Sequence, residues 1–248
     1  MTRRTRLLVF LAGAVGFAIV YAVAVFGMPS FGGLVHPYRD AAVAAAVGHQ
    51  TANVVSSVNF DQRALDTLGE ETILLGSVVG AVALLRSGSQ RVPPPENVVA
   101  QPLQATKLVG YVLLPVTLMI GLDLVVHGHL TPGGGFQGGV VLGTGLHLLY
   151  VGGDYPALER LRPMPALHIG EALGALSFAL VGVAGLIVSG AFLVNVVPQG
   201  TFGQLFSAGT VPVLNVAVGF EVACGAMVLL ATFLDQWITG SAGEGASD

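Results

Sequence analysis

Apolar residues along the chain gather into six runs of roughly the length, about 20 residues, that carries a helix across a lipid hydrocarbon core. They cover residues 7–27, 68–85, 108–126, 133–151, 167–194 and 211–234. Acids enter four of them: Glu70 and Glu71 near the start of the second, Asp123 near the end of the third, Glu171 near the start of the fifth and Glu221 near the middle of the sixth. The pattern predicts an all-α integral membrane protein of about six transmembrane helices.

Polar stretches divide these runs into two groups. The segment containing "RVPPPENVVAQP" has no apolar face and reads as an extended proline-rich linker over 87–104. A two-helix module, 1–86, precedes it, and a four-helix module, 105–238, follows with short loops. Residues 239–248, small and polar, read as a disordered tail. Between the first two spans, "DAAVAAAVGHQTANVVSSV" is too polar and broken to cross a membrane. It reads as an interfacial or re-entrant helix with His49 and Asn53 on one face. The two halves show no internal repeat, which argues against the inverted-repeat carriers.

Composition agrees with the membrane reading: 53% of the 248 residues are apolar and 10% charged, where a soluble domain carries about 25% charged residues. Basic residues set the orientation, because Lys and Arg accumulate in cytoplasmic segments. With the amino terminus inside, the cytoplasmic side holds Arg3, Arg4, Arg6, Arg86, Arg91, Lys107, Arg160 and Arg162, leaving Arg39 and Arg63 outside. Both termini are then expected in the cytoplasm. The basic start and Ala22 to Ala24 are also compatible with a signal peptide, but the apolar region exceeds the usual 7 to 15 residues and is read as a retained span. The single cysteine, Cys224, leaves neither a disulfide framework nor a cysteine metal site.

The stretch "GHLTPGGGFQGG", residues 128–139, puts six glycines and a proline against an apolar run. A phosphate-binding loop would end in Lys-Ser/Thr and follow a strand, and neither holds here. A packing motif explains more. Gly135, Gly139 and Gly143 recur every four residues and make a flat helix face where another helix can come close. Pro132, Gly133 and Gly134 suit a short non-helical lead-in, which is tolerated at membrane depth only where protein or a hydrated cavity covers it. His127 and His129 flank this lead-in; a His-x-His pair can bind zinc, but no third or fourth ligand lies nearby, so no metal site is expected. The plainer expectation is that these histidines meet lipid headgroups, water or turn backbone. His147 has no evident partner as a haem ligand, and no catalytic residue or cofactor is expected.

Glu221 lies ten residues past Val211, hence about 15 Å deep and near the bilayer midplane. An acid there costs at least about 2.5 to 3.5 kcal/mol on insertion scales and usually faces a bundle interior on an ion or proton path. The competing reading is a carboxyl hydrogen-bonded to a neighbouring helix. Glu70 and Glu71 point about 100° apart, so they cannot both face one partner, whereas Glu70 and Asp66 share a face. Glu171 and His168 sit near the cytoplasmic end of the fifth span, where snorkelling is easy.

"GHLTPGGGFQGG", with His129, Gly138 and Phe136 in place, resembles the glycine signature of the B subunit, MrpB or MnhB, of Mrp-type multisubunit sodium/proton antiporters. "SAGTVPVLNVAVGFEVACGAMVLL" is similar to the closing helix of that subunit, with Glu221 where the family carries an acid. "NVVSSVNFDQRALDTLGEETILLGSVVGAVALLR" resembles the membrane segment at the carboxyl end of the large A subunit, found as a separate E-type subunit in energy-converting hydrogenase complexes. That segment usually reads Asp-Phe-Arg-Gly-Phe-Asp-Thr-x-Gly-Glu; this chain loses both aromatic residues and the first glycine and keeps Asp61, Arg63, Asp66 and Glu70. The resemblance therefore assigns the family acid to Glu70. It implies a natural fusion of two membrane modules, in a multi-pass subunit of a prokaryotic plasma membrane. The expected partners are other subunits of a hetero-oligomeric antiporter, lipid, Na+ and H+, with no nucleic acid. Glu221, Glu70, Asp66 and Glu171 are the expected ion-path candidates. Two other readings stand beside this one: the membrane arm of a redox-driven complex, and a scaffold whose acids are structural.

Overall fold

The computed structural model describes residues 3–28, 33–86, 104–151 and 163–244. The chain divides into two compact units, Met1–Asp40 and Ala41–Asp248. The first holds α1 (Arg3–Phe26), apolar on every side and with no buried residue. Such a helix has no inward face within its own unit, as expected of a lipid or subunit-contact span. The unit boundary falls within the sequence of α2 (Pro37–Gly48).

The second unit contains α3 (Val54–Ser57), a π-helical turn (Val58–Gln62), α4 (Ala64–Arg86), α5 (Gln104–Val126), α6 (Gly135–Val151), α7 (Met164–Ser189) and α8 (Val211–Glu244). Helix α8 is the axis, touching α4, α5, α6 and α7. In its apolar stretch 61% of residues are buried, against 17% in α4 and 22% in α7. Among the described residues five helices, α1, α4, α5, α7 and α8, are long and apolar enough to cross a membrane. The remaining expected span, α6, has 17 described residues, about 25 Å of helix.

Two expectations meet the structure differently, and a third lies almost wholly outside the described residues. Helix α8 continues to Glu244, through residues expected as a disordered tail; once a long helix exists, adding a residue costs little, so weak formers can extend it. His49 and Asn53 do not share a helix. Helix α2 stops at Gly48, Gln50 takes a left-handed φ of 58°, and Asn53 caps α3 by accepting from the Val55 and Ser56 amides. The proline-rich linker lies outside the described residues apart from Gln104, which begins α5.

The connections 41–63, 127–134 and 190–210 gather where α5 and α7 end and α4, α6 and α8 begin, a loop-rich end of the bundle. Asn53 ties two of them together: its Nδ2 donates to the carbonyls of Gly128, at 2.7 Å, and Thr131, at 2.9 Å. Beneath this end lies a buried apolar layer including Phe60, Ala64, Phe178, Leu193, Leu214 and Val218. A second apolar layer, Val78, Val82 and Val228 with Leu74, Met164 and Leu167, lies towards the opposite end.

Candidate functional site

The glycine stretch builds the contact that holds α6 against its neighbours. A methyl group on Gly139 would lie 2.7 Å from the Gly219 carbonyl oxygen, and one on Gly138 would lie 2.8 Å from that of Gly121. Gly135, Gly139 and Gly143 therefore face α8, while Gly138 faces α5, so α6 is wedged between the two. Gly133 and Gly134 carry φ of 143° and 133°, a region that a side chain disfavours, and Pro132 is exposed. Phe136 packs on the first apolar layer. Where α6 begins, the buried Asn215 of α8 accepts from the Gly135 amide at 2.9 Å and donates to Ser56 Oγ and the Val211 carbonyl, both at 3.0 Å. One side chain thus joins α3, α6 and α8.

His129 is fully buried and does not meet lipid headgroups: its Nε2–H donates to the Leu205 carbonyl at 3.0 Å. Burial pushes its imidazole below the ordinary 6.5, the carbonyls of Leu205 and Gln204 pull it back up, and nearby His127 adds to the lowering. His127 itself pairs with Asp123 at 2.9 Å, so the two histidines do not converge on a common ligand.

Three carboxyl groups from three helices meet between the apolar layers. Glu71 on α4 and Glu221 on α8 are 0% exposed and Glu171 on α7 is 2% exposed. Both carboxyl oxygens of Glu71 and of Glu221, and Oε1 of Glu171, have no hydrogen-bond partner among the described residues. Glu221 lies within electrostatic reach of Glu71 on one side and of Glu171 on the other.

The glycines fix the order of these groups. Gly174 of α7 packs on Glu221, and Gly225 of α8 packs on Oε1 of Glu171. Glu171 therefore lies about four residues, or roughly 6 Å, beyond Glu221 along α8. Gly225 also faces Val78, seven residues past Glu71 on α4, which sets Glu71 about 4 Å nearer the loop-rich end than Glu221. The order from that end is Glu71, Glu221, Glu171. His168, one turn before Glu171, adds a buried Nε2 with no partner among the described residues.

Of the expected acids, Glu221 and Glu171 are in this group and Glu70 and Asp66 are not. Glu70 is exposed, and Asp66 forms an exposed ion pair with Arg63. Glu71 takes the inward position. The face Ala64, Thr67, Glu71, Val78 and Val82 is buried at spacings of three, four or seven residues, and Glu70 points about 100° away from it. Carboxyls so placed can hand a proton along a row or bind a cation between them, and when ionised together they repel unless a proton or cation offsets the charge.

Comparison with known proteins bears on this arrangement. The family described as "domain related to MnhB subunit of Na+/H+ antiporter" matches residues 105–228. An uncharacterized protein of Methanocaldococcus jannaschii is 32% identical over 195 residues, 70% of this chain and 73% of that protein. The probable A/B subunit of a K+/H+ antiporter of Rhizobium meliloti is 28% identical over 254 residues, spanning 94% of this chain but 24% of its own length. That alignment runs through both modules and fits the fusion of an A-like segment to a B-like one. Among solved structures, a chain of the membrane-bound sulfane sulfur reductase, an archaeal respiratory membrane complex, shares the fold, with a TM-score of 0.72 and 24% identity over 94% of this chain and 99% of that one. With its glycine wedge and its apolar spans, the chain is a multi-pass membrane protein that belongs to the family of the MnhB subunit of Na+/H+ antiporters.

Proposed function

We propose that the chain is a subunit of a multisubunit cation/proton antiporter, and that Glu71, Glu221 and Glu171 form part of its ion or proton path. One observation carries this reading: three buried carboxyls, from three helices, lie in a row with most of their oxygens unpartnered among the described residues. A scaffold would gain nothing from them, because each unpaired buried polar group costs about 1 to 3 kcal/mol and a well-packed apolar side chain would remove that cost. The basic residues support an orientation with both termini in the cytoplasm and the loop-rich end outside.

The test is antiport by the assembled complex in membrane vesicles carrying Glu221→Gln or Glu221→Asp. Glutamine keeps shape and hydrogen-bonding capacity without an exchangeable proton, so it should abolish antiport, whereas aspartate should retain part of it. Full antiport by an assembled Glu221→Gln complex would end the assignment. Purification also decides the kind of complex: flavin or iron–sulfur absorbance in the isolated assembly would move the chain to a redox-driven machine.

A further inference from the structure

We propose that the apolar layer centred on Phe60 and Phe178 is a dry gate, and that the cleft above it is the port through which a proton or small cation reaches the buried carboxyls. The proposal rests on reading those carboxyls as ion-path groups. At the loop-rich end a cleft of about 470 Å³ opens between the 49–65 segment and the 192–199 loop. His49, Asp61, Asn195 and Gln199 give it a polar wall, with Asp61 paired to His49, and Arg63 is held at its rim by Asp66. Its lining also includes Ala64 and Leu193, and both belong to the buried apolar layer.

Three helices cross that layer in the same sequence of environments. On α4, Ala64 touches the cleft and Glu71 follows two turns later. On α8, Leu214 and Val218 lie in the layer ahead of Glu221, and Val222, on the adjoining face, closes it beside that acid. On α7, read from its loop-rich end, Phe178 lies in the layer and Glu171 follows two turns further in. Phe60 and Phe178, 2% and 0% exposed, set their rings 6.2 Å apart. The side chains between the polar cleft and the carboxyl row are thus chiefly apolar, and the buried Thr67 among them spends its hydroxyl on the Asn59 carbonyl at 2.6 Å. Water and ions avoid such a layer, because an apolar constriction dewets and offers nothing to replace a hydration shell. Leu193, in contact with both cleft and layer, is held at a φ of 62°, an uncommon conformation for a side chain of its size and one that clusters at ligand clamps and switch regions.

Cys224 provides the assay. It is the chain's only cysteine, 6% exposed, on α8 just past Glu221 and within electrostatic reach of Glu171, so it reports on the space behind the gate. Ag+ is a small monovalent cation that binds thiols. The assembled complex, in right-side-out and inverted vesicles, is exposed to Ag+, denatured, and treated with a mass-adding maleimide; protection of Cys224 is read on this chain, with Cys224→Ser as the blank.

In the wild type, protection should be slow. Phe178→Ser, and Val218→Thr as a variant of nearly wild-type shape, wet the layer and should speed protection by about tenfold or more from the loop-rich side only. Phe178→Leu, which loosens the layer but keeps it apolar, should remain near the wild-type rate. If an assembled Val218→Thr or Phe178→Ser complex reacts no faster, or if the gain is equal from both sides, the gate is refuted. Acceleration by Phe178→Leu as large as by Phe178→Ser would show loosened packing instead of wetting, and would also refute it. Antiport by Glu221→Gln separates the two ideas: full antiport together with the expected silver pattern would end the carboxyl reading and leave the apolar barrier in place.

Discussion

The glycine wedge predicts that two alanine substitutions four residues apart on α6 act in opposite directions. A methyl group at Gly139 would stand 2.7 Å from the Gly219 carbonyl oxygen and 2.8 Å from Val222 Cβ; at Gly143 the nearest atom is Ala226 Cβ at 3.4 Å. The first contact is with backbone and a stiff β-branched side chain on the central helix, which cannot turn aside. The second needs an adjustment of a few tenths of an ångström at most. Both substitutions remove a helix-interior glycine and gain about 0.5 to 1 kcal/mol for that reason. Overpacking at Gly139 costs about 1 to 3 kcal/mol. Gly139→Ala should therefore lose up to about 2.5 kcal/mol net, while Gly143→Ala should be neutral or gain up to about 1 kcal/mol. The assay is thermal stability of the detergent-purified complex, read as the temperature at which the native-gel band is half lost. Gly139→Ala should lower it, Gly143→Ala should not, and Gly139→Leu should abolish assembly. Equal midpoints for the two alanine variants would refute the close approach of α6 and α8.

Other expectations are more local. Asn215→Leu should destabilise the assembly by about 1 to 3 kcal/mol for each buried group it orphans, the Gly135 amide and the Ser56 hydroxyl, and the same native-gel midpoint measures it. Because folding holds His129 below 6.5, the unfolded chain binds the extra proton: stability is full above about pH 6.5 and falls as pH drops from there towards the depressed folded value. His129→Gln should flatten that part of the stability–pH curve; an unchanged slope would mean that His129 is not the group responsible. Glu71→Gln should impair antiport in an assembled complex and Glu70→Gln should not, and the reverse result would show that α4 faces the other way in the assembly.

Much of the fold was readable because lipid leaves few choices. A chain with apolar runs of 18 to 28 residues has to satisfy its backbone within each segment, and helices follow. The glycine stretch was readable for a related reason: Gly135, Gly139 and Gly143 recur every fourth residue directly after a proline and two further glycines, a concentration that suits close helix contact. What escaped the sequence were features set by contacts between distant segments. Asn53 caps a helix and also bonds the 127–134 loop, Asn215 joins three segments, and His129 reaches Leu205. Each pairs groups more than 70 residues apart, and neither partner carries a local mark of the other.

The inward acid of α4 shows why the site was harder to read than the fold. In a soluble protein the polar face of a helix points outward, so the pattern itself states the phase. In lipid that contrast vanishes: both sides of α4 are apolar, and Glu70 and Glu71 are equally foreign to either. Small residues, the remaining guide to a contact face, mislead here, since Gly69, Gly76 and Gly80 have open space around them in this chain. The buried face carries Ala64, Thr67, Glu71, Val78 and Val82 instead. A rotation of about 100° separates the two faces, one residue of helical phase. Only the neighbouring acids resolve it: Glu71 lies within electrostatic reach of Glu221, which in turn lies within reach of Glu171, whereas Glu70 is exposed on the open face.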